Sequence, residues 1–177
     1  GVTVLRGIEA NIMDAEGTLD LEEIYLKDLD WVIASFHKQT FVSAGTDENT
    51  QALLSALDNR FVDVLGHPDA PAFPFDIDTV VKACALKGKF IEINNSSFVV
   101  RKGGDAMRDG IIEACRKYET RVVVNSDAHC PWDTGNVDRS LELLEKLDFP
   151  AELILNVKAD NVAEYIKQKS GRDVLGR

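Results

Sequence analysis

The feature that most constrains this chain is an alternation. Short apolar runs rich in β-branched residues are each followed by a segment with helical periodicity. The runs cover residues 2–12, 31–36, 61–65, 90–94, 121–125 and 153–157. Most are apolar without interruption, the pattern of strands covered on both faces. Between them, Ile77, Val80, Val81 and Cys84 recur at helical spacing after Asp76, and Gly88 supplies a stop. Ile111, Cys115 and Tyr118 form a second stripe, and Val137, Leu141 and Leu144 a third. Residues 47–59 and 160–169 read as further helices, and 21–29 as a short one. Six strands alternating with helices predict an α/β protein with a parallel sheet, either open and doubly wound or part of a β/α barrel.

A full barrel typically needs about 250 residues, and this chain has 177. It falls short by roughly two β/α units. Position 1 is not Met, and the opening Val2-Thr3-Val4-Leu5 already reads as strand. These features predict that the first units of the barrel are missing. Residues 1–177 show no internal linker, repeat or low-complexity tract and are expected to form one domain.

The charge balance narrows the function. Twenty Lys and Arg against thirty Asp and Glu give a formal net charge of −10. Nucleic acid as partner is disfavoured, because phosphate contacts require Lys and Arg. No apolar run approaches the roughly 20 residues of a membrane span. The three cysteines, Cys84, Cys115 and Cys130, are odd in number and irregularly spaced, which points to a reducing, cytoplasmic setting.

The chemistry is positional. Strand runs end in Gly7-Ile8-Glu9-Ala10-Asn11, Ser35-Phe36-His37, Gly66-His67-Pro68, Glu92-Ile93-Asn94-Asn95-Ser96-Ser97 and Asn125-Ser126-Asp127-Ala128-His129. All three histidines of the chain belong to this set. Strand carboxyl ends converge in a β/α barrel, so residues distant in sequence would meet around one point. Asp127 and His129, two apart on an extended segment, would leave the same side. Imidazole and carboxylate together suit Zn²⁺, Mn²⁺ or Fe. Glu9 could bridge two ions, and two ions about 3.5–4 Å apart can clamp a phosphoryl group and generate hydroxide.

Each residue also has a plainer reading. Asp127 could cap the following segment, and Glu9 could sit in a salt bridge. Residues 94–97 could be a polar turn, with Arg101, Lys102, Gly103 and Gly104 either solvated or offering cations and N–H groups to a phosphate. Glu92 reads as a structural ion pair, and Cys130 as a small loop residue. Trp132 is near enough to the 127–129 loop to edge the site.

Taken together, these stretches resemble the PHP (polymerase and histidinol phosphatase) superfamily, in particular its small bacterial stand-alone phosphatases. The likeness rests on Leu5-Arg6-Gly7-Ile8-Glu9-Ala10-Asn11, Ser35-Phe36-His37, Gly66-His67-Pro68, Glu92 to Phe98 and Ser126-Asp127-Ala128-His129. Phe149-Pro150 and Ile154-Leu155-Asn156-Val157 extend it almost to the end of the chain. The resemblance implies a distorted, TIM-like, seven-stranded β/α barrel, here without its first units. It implies a site for up to three divalent ions, zinc foremost, with manganese or iron as alternatives. It also implies hydrolysis of a small-molecule phosphate monoester by metal-activated hydroxide.

By matching position, the resemblance makes Glu9 the carboxylate bridging two ions, with His37 and His67 completing one of them. It gives Asp127 to the other bridged ion and His129 to a third. It places Asn95, Ser97 and Arg101 near the substrate phosphate. The His-x-His segment that opens family members does not occur in this sequence, which implies incomplete ligand sets. It also suggests a retained N-terminal piece or a homo-oligomer across an open barrel edge. The competing readings are a PHP module serving DNA replication or repair, and an inactive metal-binding fragment.

Overall fold

The computed structural model describes residues 2–176. Five strands form one sheet: β1 (Gly7–Asn11), β2 (Trp31–Ser35), β3 (Val64–Leu65), β4 (Phe90–Asn94) and β5 (Val122–Asn125). Seven helices accompany them: α1 (Glu23–Leu26), α2 (Thr46–Asp58), α3 (Ile77–Lys87), α4 (Ser97–Val100), α5 (Asp105–Lys117), α6 (Asp138–Lys146) and α7 (Ala159–Ser170). All strand pairs are parallel, and spatial order equals sequence order, β1-β2-β3-β4-β5. Each crossover therefore steps one place in the same direction, and right-handed crossovers place the connecting helices on one face. The sheet is wound on one side, not two.

The expected seven-stranded, TIM-like barrel lacking its first units is not formed. Among the described residues the sheet is open, with β1 and β5 as its two edges. The sixth apolar run, 153–157, is not a strand. It forms two single 3₁₀ turns after Pro150, Ala151–Leu153 and Leu155–Val157. Only one isolated parallel bridge, Val122 to Ile154, joins it to β5. The Asn156 side chain takes the place of a partner strand: it accepts from Val124 N–H at 3.0 Å and donates to Val124 C=O at 2.7 Å. An amide group so placed satisfies both backbone groups of one residue. The periodicity of 153–157 could not reveal this, because Leu, Ile and Val pack as well in turns as in strands. The first run is also shorter than expected, beginning at Gly7.

The register separates the two faces of the sheet. Ile8, Ala10, Val32, Ala34, Leu65, Ile91, Ile93, Val122 and Val124 share one face. Seven of these are almost fully buried, and all join the main core or its edge with α2, α3 and α5, apart from Ala10, itself wholly buried. The helices were legible: Asp76 caps α3 by accepting from Thr79 N–H at 3.0 Å, and Gly88 ends it in the left-handed conformation.

The opposite face changes character along its length. Its amino-terminal half carries Trp31, Ile33, Val64, Phe90 and Val123, packed against Leu155, Val162 and Tyr165. Burying Phe90 fully stabilises by about 1.5–3 kcal/mol. Its carboxyl-terminal half carries Asn11 opposite Ser35 and Asn94 opposite Asn125, with Glu9 and Glu92 one pleat earlier, opposite Ile33 and Val123. The polar groups thus collect at one end of one face.

Candidate metal centre

Three strand ends bring Glu9, His37 and His67 together, with one ligand atom from each within 4.8 Å of the others. Glu9 Oε1 lies 2.7 Å from His67 Nε2 and 3.4 Å from His37 Nε2. The two imidazoles meet nearly edge to face, at 68° with centroids 5.1 Å apart. The hydrogen bonds from His37 and His67 hold the Glu9 carboxyl well below the usual carboxylate range, outweighing its partial burial.

Asn11 sets the orientation of His37. It lies two residues beyond Glu9 and so on the same face of β1. Its Nδ2 donates to Asp20 Oδ2 and its backbone N–H to Asp20 Oδ1 at 2.8 Å. Its Oδ1 is therefore the acceptor for His37 Nδ1, at 2.7 Å. Nδ1 is thus held as the outward donor, and Nε2 is the nitrogen turned toward Glu9, 3.4 Å away. Metal-binding histidines need this arrangement, with one nitrogen donating outward and the other free to coordinate. The 14–18 turn delivers Asp20: Gly17, at φ 74°, packs so closely on the backbone of α2 that a Cβ there would lie 2.3 Å from Ala56 N.

His67 is held from behind. It is buried, and its backbone, at φ 29°, lies in the left-handed region. Its N–H donates to Glu92 Oε2 at 2.8 Å. Gly66 makes room for the turn; a Cβ there would lie 2.1 Å from Ser35 Oγ. Glu92 forms no ion pair among the described residues. Its carboxylate accepts from His67 N–H, Asn94 Nδ2 at 3.2 Å and Asn125 Nδ2 at 2.7 Å.

Asp127 and His129 stand apart from this triad. Asn94 Nδ2 donates to Asp127 Oδ2 at 3.1 Å as well as to Glu92, so one amide links the two carboxylates. Asp127 adopts φ 52°, not the extended backbone expected, yet His129 Nδ1 still lies 3.6 Å from Asp127 Oδ1. His129 turns Nδ1 onto the Asp127 carbonyl at 2.9 Å, with its ring 86% exposed.

Ser97 is fully buried. It donates to Asp69 Oδ1 at 2.9 Å and accepts from Arg101 Nη1 at 3.1 Å. Asp69 is closed in turn by Arg108 Nε at 2.7 Å. Asn95 is buried too, and its Oδ1 accepts from Ser140 N–H at the start of α6, at 3.1 Å. Sequence reasoning did not single out Asn11, Asp20, Asp69 or Arg108. Asn11 alone carried a signal, its two-residue spacing from Glu9.

The donor set fits a divalent cation: one ionised carboxylate, an imidazole with Nε2 directed inward, and a second imidazole on the same oxygen. Glu9, Glu92 and Asp127 have no Lys or Arg partner among the described residues. A cation is the complement this end lacks.

No protein-family model matches the chain. Curated relatives do. It is 44% identical over 172 residues to a probable phosphatase of Acetivibrio thermocellus, covering 97% of this chain and 71% of that protein. It is 47% identical over 174 residues to a probable phosphatase of Caldanaerobacter subterraneus subsp. tengcongensis, covering 97% and 68%. A probable phosphatase of Clostridium novyi is 41% identical, over 96% and 70%. Among solved structures, a chain of an archaeal ribonuclease P with mature tRNA shares the fold, with a TM-score of 0.65 at 14% identity over 98% of this chain and 73% of that one. No described helix is long and apolar enough to cross a membrane. With identities above 40% over two thirds or more of each relative, the chain belongs to the family of these bacterial probable phosphatases.

Proposed function

We propose that the protein is a metal-dependent phosphatase for a small-molecule phosphate monoester, of the PHP type its motifs resemble. The observation that carries this reading is the convergence of Glu9, His37 and His67 on one carboxylate oxygen, with the His37 tautomer fixed by Asn11. Glu9, His37 and His67 would hold one divalent ion, and Asp127 with His129 would offer donors for a neighbouring one. A divalent cation here supplies Lewis acidity toward a phosphoryl oxygen and acidifies water, zinc, manganese and iron all suiting these ligands.

The chain's own residues hold and orient. Asn11 keeps His37 Nε2 directed inward, and Glu92 fixes the backbone from which His67 projects. Arg101, steadied by Ser97, is available to a phosphate oxygen from the side of α4. In the overall reaction, water oxygen adds to phosphorus, the P–O bond to the alcohol breaks, and the alcohol leaves with a proton.

The test is direct. The protein loaded with zinc or manganese should release phosphate from phenyl phosphate, and elemental analysis should find at least one ion per chain. His67→Ala should lose both. Full phosphate release by that variant would overturn the site assignment, and no release by the loaded wild type would overturn the activity.

A further inference from the structure

A cleft of about 400 Å³ opens beside Asp127 and His129 and is lined further by Asn95, Val99, Val100, the carboxylate of Asp133 and the exposed Arg139. Three features set it apart from ordinary surface. Arg139 makes no ion pair, hydrogen bond or ring contact with any described residue, in a protein of net charge −10. It also sits in the first turn of α6, where the helix dipole disfavours a cation. Asp127 and Asp133 line the same cleft, but neither pairs with it directly.

The second feature is Asn95. Its Oδ1 is committed to Ser140 N–H, which leaves the Nδ2 amide as its free hydrogen-bonding group on the cleft wall. That same bond ties the end of β4 to the residue following Arg139, so the amide and the guanidinium are held on one frame. The third is apolar: Val99 and Val100 are 58% and 65% exposed on the cleft lip. Two donors, one cationic, above an apolar wall suit an organic group carrying an anion.

We infer that this cleft receives the alcohol portion of the substrate and selects phosphate monoesters bearing a second anionic group, with Arg139 as the specificity-determining cation and Asn95 as its neutral partner. The second anion is a carboxylate or another phosphate; both offer the paired oxygens a guanidinium binds. The inference rests on the phosphatase reading, which would put the first phosphate beside an ion that Asp127 and His129 help to hold.

Two measurements separate the inference from the reading beneath it. Hydrolysis of phenyl phosphate by the metal-loaded wild type tests the activity alone. The cleft is tested by calorimetric binding of three non-hydrolysable probes, phenylphosphonate, 4-carboxyphenylphosphonate and benzene-1,4-diphosphonate, to wild type, R139Q and R139E. At least one doubly charged probe should bind wild type better than phenylphosphonate. That preference should fall about tenfold in R139Q and further in R139E, since a charge-assisted hydrogen bond is lost in the first and a repulsive charge added in the second. The probe whose preference falls more identifies the second anion. A wild-type preference that is absent, or that survives both substitutions, would overturn the inference even if phenyl phosphate is hydrolysed. Preference lost in R139Q without any hydrolysis would keep the anion subsite and overturn the phosphatase.

Discussion

The two ends of the sheet treat carboxylates differently, although Asp69 at the carboxyl end is itself closed by Arg108. At the amino end, each is closed by a cation. Asp63, 1% exposed, accepts from Lys169 Nζ at 2.6 Å, Tyr165 OH at 2.7 Å and Val32 N–H at 2.7 Å. Burial and the Asp63 charge together push the Tyr165 phenol up, so it stays a donor. Asp30 is closed likewise by Arg172 and Arg6. At the carboxyl end, Glu92 is satisfied by three neutral N–H donors, and Glu9 by two imidazoles. The first arrangement cancels charge and clamps α7 and the chain after it to the strands. The second keeps charge in place, oriented and uncancelled. The contrast teaches where this fold is stabilised and where it is left poised to bind.

The largest effect should come from breaking the amino end. Asp63→Ala leaves a lysine amine, a phenol and a backbone N–H facing nothing. Removing one partner of a buried pair costs about 3–5 kcal/mol. Chemical denaturation should show that loss, while the folded fraction should still bind zinc as the wild type does. Loss of zinc binding by natively folded Asp63→Ala would show that the two ends are not separate.

At the other end the order reverses, with metal affinity suffering more than stability. His67→Ala removes a ligand, and zinc affinity should fall by at least about 100-fold. At a zinc concentration 100 times its dissociation constant, the wild type should gain about 2.7 kcal/mol of stability that the variant lacks. Equal stabilisation of both by zinc would mean that the ion binds elsewhere.

Asn11→Ala sharpens the comparison further, because it touches no ligand atom. It frees the His37 ring to turn and to place its proton on either nitrogen. Loss of such an outer partner typically costs about 10–100-fold in metal affinity. Asn11→Asp combined with Asp20→Asn, which keeps the acceptor for His37 and restores a donor between the two side chains, should recover most of it. Calorimetric titration with zinc of both variants decides: equal losses would make Asn11 a structural residue only.

The sequence displayed this division unevenly. Glu9, His37 and His67 were legible because their residue types fall at strand ends, and strand ends are marked by where β-branched runs stop. Asn11 was half legible, through its spacing from Glu9. Its role depends on Asp20, which arrives through a turn whose path no local pattern encodes. The neutral closure of Glu92 was invisible, since a carboxylate in an apolar strand reads as an ion pair whatever donors surround it. The barrel was misread because residues 153–157 have a strand's composition, and the Asn156 amide does the pairing that a backbone would have done. Periodicity reports which residues are buried, not which groups satisfy the edge beside them.

The smallest effect should belong to His129, and it tests whether the carboxyl end is itself divided. Its ring is mostly in solvent, tied by one bond to the Asp127 carbonyl. Its loop holds position through Ser96 Oγ, which donates to the carbonyls of Ser126 and Asp127 at 3.0 and 3.2 Å. His129→Ala should therefore change stability by no more than about 0.5 kcal/mol, as for other exposed positions. Zinc affinity at Glu9, His37 and His67 should stay within about twofold, because losses beyond that need a direct or outer-shell contact. Any second, weaker binding event in the titration should vanish with it. A large fall in the first event would show that His129 swings in to join the triad, and the carboxyl end would then be one site and not two.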